Sequence, residues 1–162
     1  MPLETQANQE LVGTFFDEVI NVHNADRAPE LLSAAVVDHN KIVLTEPEGP
    51  GAAEEGLRML FTAFPDLHAD VRQVVDDGRC VAVRFELSGT NTGDYRYLPA
   101  PTGRRAVWEA IGIFRIADGK IAEIWPLFEE AKRRGVRRLL CNHPTYVIDG
   151  TLDDIATLAG MG

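Results

Sequence analysis

The chain has 162 residues, 45% hydrophobic and 25% charged, and a formal net charge of −9. That is the composition of a globular domain, long enough to bury roughly 70% of the surface its unfolded form would expose. The acid excess argues against nucleic acid, whose phosphates need clustered Lys and Arg; no apolar run approaches the roughly 18 residues of a membrane helix; and the opening MPLETQANQE has neither the basic nor the apolar region of a secretory leader. A cytoplasmic protein with no membrane contact is the expectation.

From Thr5 to His23, the apolar residues Leu11, Val12, Phe15, Phe16, Val19 and Ile20 recur at helical spacing and predict a first long helix. NADRAPELLSAA continues as a short helix, VVDHNKIVL is extended, and EPEGPG breaks the chain. AAEEGLRMLFTAF is a second long helix, stopped by Pro65. The period then changes to two. LHADVRQVV, a DDG turn and RCVAVRFELSGT read as paired strands, with Val81, Val83, Phe85 and Leu87 on one side. A polar loop, GTNTGDYRYLPAPTGRR, leads to a hairpin, AVWEAIGIFRIADGKIAEIWPLFEE. Helices first and an antiparallel meander afterwards predict an α+β fold with helices packed on one side of a curved sheet.

The ADG segment suits a three-residue hairpin loop with Gly119 in a left-handed position, which would pair Ile116 with Lys120, Ile113 with Glu123, Ile111 with Trp125 and Glu109 with Leu127. One side then holds Val107, Glu109, Ile111, Ile113, Glu123, Trp125, Leu127 and Glu129; the other holds Trp108, Ala110, Phe114, Ala122, Ile124 and Phe128. Two readings are open. Either the second side is core and the glutamates face water, or the glutamate side lines a cavity roofed by the first helix. The apolar area of Ile111, Ile113, Trp125 and Leu127 argues for the cavity.

Other candidates carry less. Cys80 and Cys141 lack CxxC spacing, and Cys141 with His143 is only a two-ligand C-x-H pair, so no metal is expected. KRRGVRR, residues 132 to 138, reads as a solvated helix face. His68 is an outer-surface residue, His23 ends the first helix, and Arg104 and Arg105 are solvated.

The order of elements, together with FFDEVINVHN, VVDHN, FPDLHADV, VAVRFELSGTNTG and LPAPTGRRAVWEAIGIFRIADGKIAEIW, resembles the SnoaL-like polyketide cyclase family of the nuclear-transport-factor-2-like superfamily over residues of about 10 to 130. The resemblance implies a cone-shaped barrel of curved antiparallel sheet with N-terminal helices on its concave face, an apolar pocket, and a homodimer through the outer sheet face. It favours the cavity reading. Residues 1–162 form one such domain, and residues 141–162, outside the resemblance, are an extension in which TLDDIATLAG has helical spacing and folds back on the barrel or a partner subunit. Limonene epoxide hydrolase, a cousin, has Arg and two Asp where this chain has Phe85, Leu87 and Leu127, so its water-activating triad is absent.

Family cyclases close polyketide rings by an aldol step without a cofactor. That chemistry needs a base for a C–H proton and a donor for the enolate oxygen. The expected catalytic set is Glu109 as base, His39 of the DHN triplet as donor or proton exchanger, and Glu123 as the alternative carboxylate. Trp125, Phe85, Phe16, Asn91, Leu127 and Ile111 are the expected substrate contacts, Asn91 standing where many relatives have His in GTHTG. A small hydrophobic secondary metabolite is the expected substrate, with cyclase or isomerase chemistry; a non-catalytic binding protein and an epoxide-opening cyclase with a different acid set are the alternatives.

Overall fold

The computed structural model describes residues 3–39, 51–94, 101–128, 131–133, 136–140 and 147–150, and side chains at 5–39, 51–94, 101–107 and 109–125. The expected helix in TLDDIATLAG lies outside the described residues. Helix α1 (Leu3–Phe15) widens into a π-helical turn, Phe16–Ile20, and is followed by a 3-10 turn (Ala25–Arg27) and the short α2 (Ala28–Leu31). Strand β1 (Leu32–Asp38) starts earlier than the sequence suggests. Next come α3 (Ala52–Ala63), β2 (His68–Asp76), β3 (Cys80–Thr90), β4 (Arg105–Ala117) and β5 (Lys120–Phe128). These five strands form one open sheet in the order β1-β5-β4-β3-β2. All neighbours are antiparallel except β1 and β5, which run parallel. Strands β6 (Ala131–Arg133), β7 (Val136–Leu140) and β8 (Val147–Gly150) make a separate three-stranded sheet, so the described part of KRRGVRR is strand rather than helix.

The stripe predicted on α1 is the one that buries: Val12, Phe15, Phe16, Val19 and Ile20 all enter the core. They meet Val81, Val83, Phe85 and Leu87 of β3, Ala110 and Phe114 of β4, and Ile121 of β5. The centre is a knot of four rings. Phe16 sits edge-on to Phe85 at 4.9 Å and to Phe114 at 5.9 Å, and Phe15 lies 6.2 Å from Phe114. Burying each such side chain contributes about 1.5–3 kcal/mol, and edge-on ring pairs add about 0.5–1.5 kcal/mol. Gly112 makes room for this knot, because a Cβ there would lie 2.8 Å from the Phe114 ring.

The β4–β5 hairpin corrects the expected turn. Asp118 and Gly119 both have positive φ, 52° and 69°, and Ala117 pairs with Lys120, so the loop has two residues rather than three. The short polar side chain of Asp tolerates the left-handed region that most residues avoid. A bulge follows, after which Arg115 pairs with Glu123, Ile113 with Trp125 and Ile111 with Leu127. The shift relative to the expected pairing is two residues, so the division into faces survives it. Which face the helices cover does not match the cavity reading. The helices pack on the side of Ala110, Phe114 and Ile121, and the glutamate side faces away from them.

Short polar clamps fix the helices to the sheet. The Asn21 side chain donates to Ala69 O at 3.0 Å and accepts from Ala69 N at 2.8 Å. His23, with φ of 56°, bonds Leu67 O at 2.7 Å and stacks on Phe61, which ties the end of α1 to α3. The Asp66 carboxylate accepts from both N and Oγ1 of Thr90, bonds that hold it below the usual carboxylate range.

Two glycines should respond in opposite directions to alanine. Gly13 in α1 has open space where a Cβ would go, so Gly13→Ala should stabilise by about 0.5–1 kcal/mol. At Gly93 a Cβ would lie 2.0 Å from Thr62 O, so Gly93→Ala should cost about 1–3 kcal/mol. Urea unfolding of both variants checks the pair.

Candidate functional site

Three residues expected in the site come together, on the face opposite the helices. His39 follows β1, and its backbone N donates to Ile124 O at 2.9 Å. Its Nε2 lies 2.6 Å from Glu123 Oε2, and its ring stacks on Trp125 at 4.4 Å with an interplanar angle of 2°. Arg115, directly across the ladder from Glu123, binds the other carboxylate oxygen through Nε. Both Glu123 oxygens are therefore engaged. The hydrogen bond from His39, and then that from Arg115, hold the Glu123 carboxyl below its ordinary range despite some opposing desolvation. A carboxylate held this way is a poor proton acceptor and a good anchor.

The remaining expected residues are elsewhere. Glu109 does not look into a hollow under α1: it is 48% exposed on the outer face and accepts from Arg84 Nη1 at 3.1 Å. Strand alternation requires this, because its neighbour Ala110 is the residue that enters the core. Ile111, on the same outer face, is 40% exposed. Phe16 and Phe85 are buried and packed against each other in the core. Asn91 is fully buried and its polar groups are used within the fold. Its Nδ2 donates to Gly93 O at 3.0 Å and Ala63 O at 3.4 Å, while Oδ1 accepts from Thr102 N at 3.0 Å. It closes the loop after β3 onto the end of α3. The side chain of Leu127 and all of Glu129 lie outside the described residues.

Two residues enter that the sequence did not single out. Arg115 is one, and its signal was only its position on the glutamate side of the hairpin. Asp38 is the other. It pairs with Ile124, whose own partner on β4 is the core residue Phe114, so Asp38 belongs to the helix-facing side while His39 belongs to the outer one. Its orientation was hidden because a register shift interrupts β1 between Leu32 and Val37. Among the described residues, no group of three His, Cys, Asp or Glu is arranged to hold a metal ion, and no helix is long and apolar enough to cross a membrane.

The depressed carboxyl of Glu123 predicts a pH effect. Its contribution to stability is full above the usual carboxylate range and is lost as pH falls through its lower folded value. Glu123→Gln should flatten the acid limb of a stability-versus-pH profile measured by thermal unfolding, leaving other carboxylates such as Asp66 to supply what remains.

Comparison with known proteins matches residues 10–133 to the SnoaL-like polyketide cyclase family, and residues 117–162 to a family of unknown function. The aklanonic acid methyl ester cyclases DnrD of Streptomyces peucetius and DauD of Streptomyces sp. (strain C5) are each 33% identical over 99 residues, 60% of this chain. The aligned stretch spans 66% and 59% of those two relatives. Among solved structures, a SnoaL-like protein of Jannaschia sp. CCS1 superposes with a TM-score of 0.68 at 24% identity, covering 80% of this chain and 90% of that one. TsrD of Streptomyces laurentii superposes with a TM-score of 0.67 at 23% identity, covering 76% and 89%. Those structural likenesses establish the fold, and the family match over most of the chain establishes the lineage: this chain belongs to the SnoaL-like polyketide cyclase family.

Proposed function

We propose that the chain is a cofactor-independent cyclase of the cytoplasm, closing a ring in a polyketide-like small molecule by general acid–base catalysis at the junction of β1 and β5. One observation carries this reading: the end of β1 delivers two consecutive titratable residues, Asp38 and His39, and Glu123 of the neighbouring β5, itself bonded by Arg115 of β4, holds His39 in place. Intramolecular aldol closure needs nothing else in kind, only a group that takes a C–H proton and returns it to an oxygen. The relatives named as cyclases of aklanonic acid methyl ester, with the polyketide cyclase family itself, support a polyketide-like ester as the substrate class and antibiotic biosynthesis as the setting.

A second reading, a binding protein without turnover, is favoured by the internal saturation of the outer cluster. Both Glu123 oxygens are bonded, and the His39 ring covers a face of Trp125. Incubating aklanonic acid methyl ester with and without the protein separates the two. Faster formation of the cyclised product with protein supports the cyclase; measurable binding with equal conversion selects the binder.

The outer sheet face is proposed as the contact with a second copy of the chain. Ile111 and Val75 remain 40% and 57% exposed there, flanked by the Arg84 and Glu109 pair. Light scattering should give twice the chain mass, and Ile111→Glu should shift the protein to monomer. A monomeric unaltered protein would remove the dimer from the proposal.

A further inference from the structure

Resting on the cyclase reading above, we infer that the proton acceptor of the ring closure is Nδ1 of His39, and that Glu123, tethered by Arg115, orients the imidazole for that task. The first ground is the tautomer. Glu123 Oε2 lies 2.6 Å from His39 Nε2. The hydrogen bonds from His39 and Arg115 hold the Glu123 carboxyl below its ordinary range, so it is ionised at neutral pH. An ionised carboxylate only accepts hydrogen bonds, and Nε2 must therefore carry the hydrogen. In a neutral imidazole one nitrogen donates and the other bears the lone pair. The basic pair is left on Nδ1.

The second ground is how firmly the ring is aimed. Its Nε2 is bonded to Glu123, its face lies parallel to Trp125 at 4.4 Å, and its backbone N donates to Ile124 O. Glu123 is held in turn, because Arg115, directly across the ladder, takes its other oxygen. A basic ring oriented by a fixed carboxylate is the general arrangement for directed proton transfer. The backbone bond and the stack already fasten β1 to β5; what the tethered carboxylate adds is a defined tautomer. Exposure follows the same division of labour. The His39 side chain is 36% exposed and that of Glu123 24%, so the orienting group lies deeper and the ring stays open to a substrate.

The step balances without any further reagent. Nδ1 takes a proton from a carbon beside a carbonyl; the C–H pair becomes the enolate, and the new imidazolium charge faces the Glu123 carboxylate. The enolate carbon forms a C–C bond to a second carbonyl carbon of the same molecule, whose π pair moves to oxygen. That oxygen takes the proton back from Nδ1, leaving a hydroxyl and the neutral ring. Substrate and product are isomers.

The tautomer is read in the unaltered protein by nitrogen NMR of labelled histidine, His39 being assigned by its proximity to the Trp125 ring. The neutral ring should carry hydrogen on Nε2; hydrogen on Nδ1 overturns the inference. Activity is read in the conversion assay above, with folding of each variant checked by circular dichroism. His39→Gln keeps a donor for Glu123 but has no basic nitrogen, so it should lower kcat at least about a hundredfold with little change in KM. Near-normal kcat in folded His39→Gln, with active unaltered protein, overturns the assignment and leaves the cyclase reading standing. Glu123→Gln, whose amide can either donate or accept, should let the ring populate both tautomers and lower kcat about tenfold. Mixed tautomers with unchanged kcat overturn the orienting role of Glu123. No conversion by the unaltered protein overturns the cyclase reading and the inference with it.

Discussion

Side-chain alternation across β3, β4 and β5 governs everything described above, because a strand offers each residue only two directions. Ala110, Gly112 and Phe114 are aligned with Phe85, Val83 and Val81 on one flank, and Phe114 with Ile124 on the other, and this shared face meets α1. The intervening residues, Glu109, Ile111, Ile113 and Arg115, have no choice but the opposite face. The hydrophobic stake is several large side chains at about 1.5–3 kcal/mol each, far more than any surface ion pair on the other side contributes. Apolar burial therefore decides the orientation, and the charged residues arrange themselves on what is left.

What they arrange is a chain of contacts at the sheet's weakest seam. A parallel edge strand gains fewer well-aligned backbone bonds than an antiparallel one. The histidine that ends β1 compensates with a backbone bond, a side-chain bond and a ring stack, all to β5. Asn21, His23, Asp66 and Asn91 play similar parts for the helices and loops. In each case a short polar side chain meets backbone groups that would otherwise end a helix or strand unsatisfied.

Much of this architecture was legible in the sequence. The stripe on α1, the stop at Pro65 and the alternation of Val81, Val83, Phe85 and Leu87 are local patterns, and local patterns set local structure. The division of the hairpin into two faces was also legible, despite the wrong loop length, because a two-residue shift preserves parity. What could not be read was which face the helices choose. Ile111, Ile113 and Trp125 made the glutamate side look too apolar for water, and the packing of Phe16 on Phe85 and Phe114 is a contact between distant segments. The same limit applied to Asn91, whose position suggested a ligand contact and whose burial makes it a loop anchor. Asp38 was passed over because the shift within β1 hides its parity.

The π-helical turn at the end of α1 bears on how this fold can vary. Asn21 N bonds Phe16 O and Asn24 N bonds Val19 O, each five residues back instead of four. The turn thus stores one surplus residue as a local swelling. In an ordinary helix an inserted residue would rotate everything beyond it by about 100°. Here the ring knot upstream and the Asn21 clamp downstream stay put, while the exposed Asp17 and Glu18 take up the slack. Loss of one of those two exposed residues would therefore return the turn to ordinary helix while leaving its two ends in alignment.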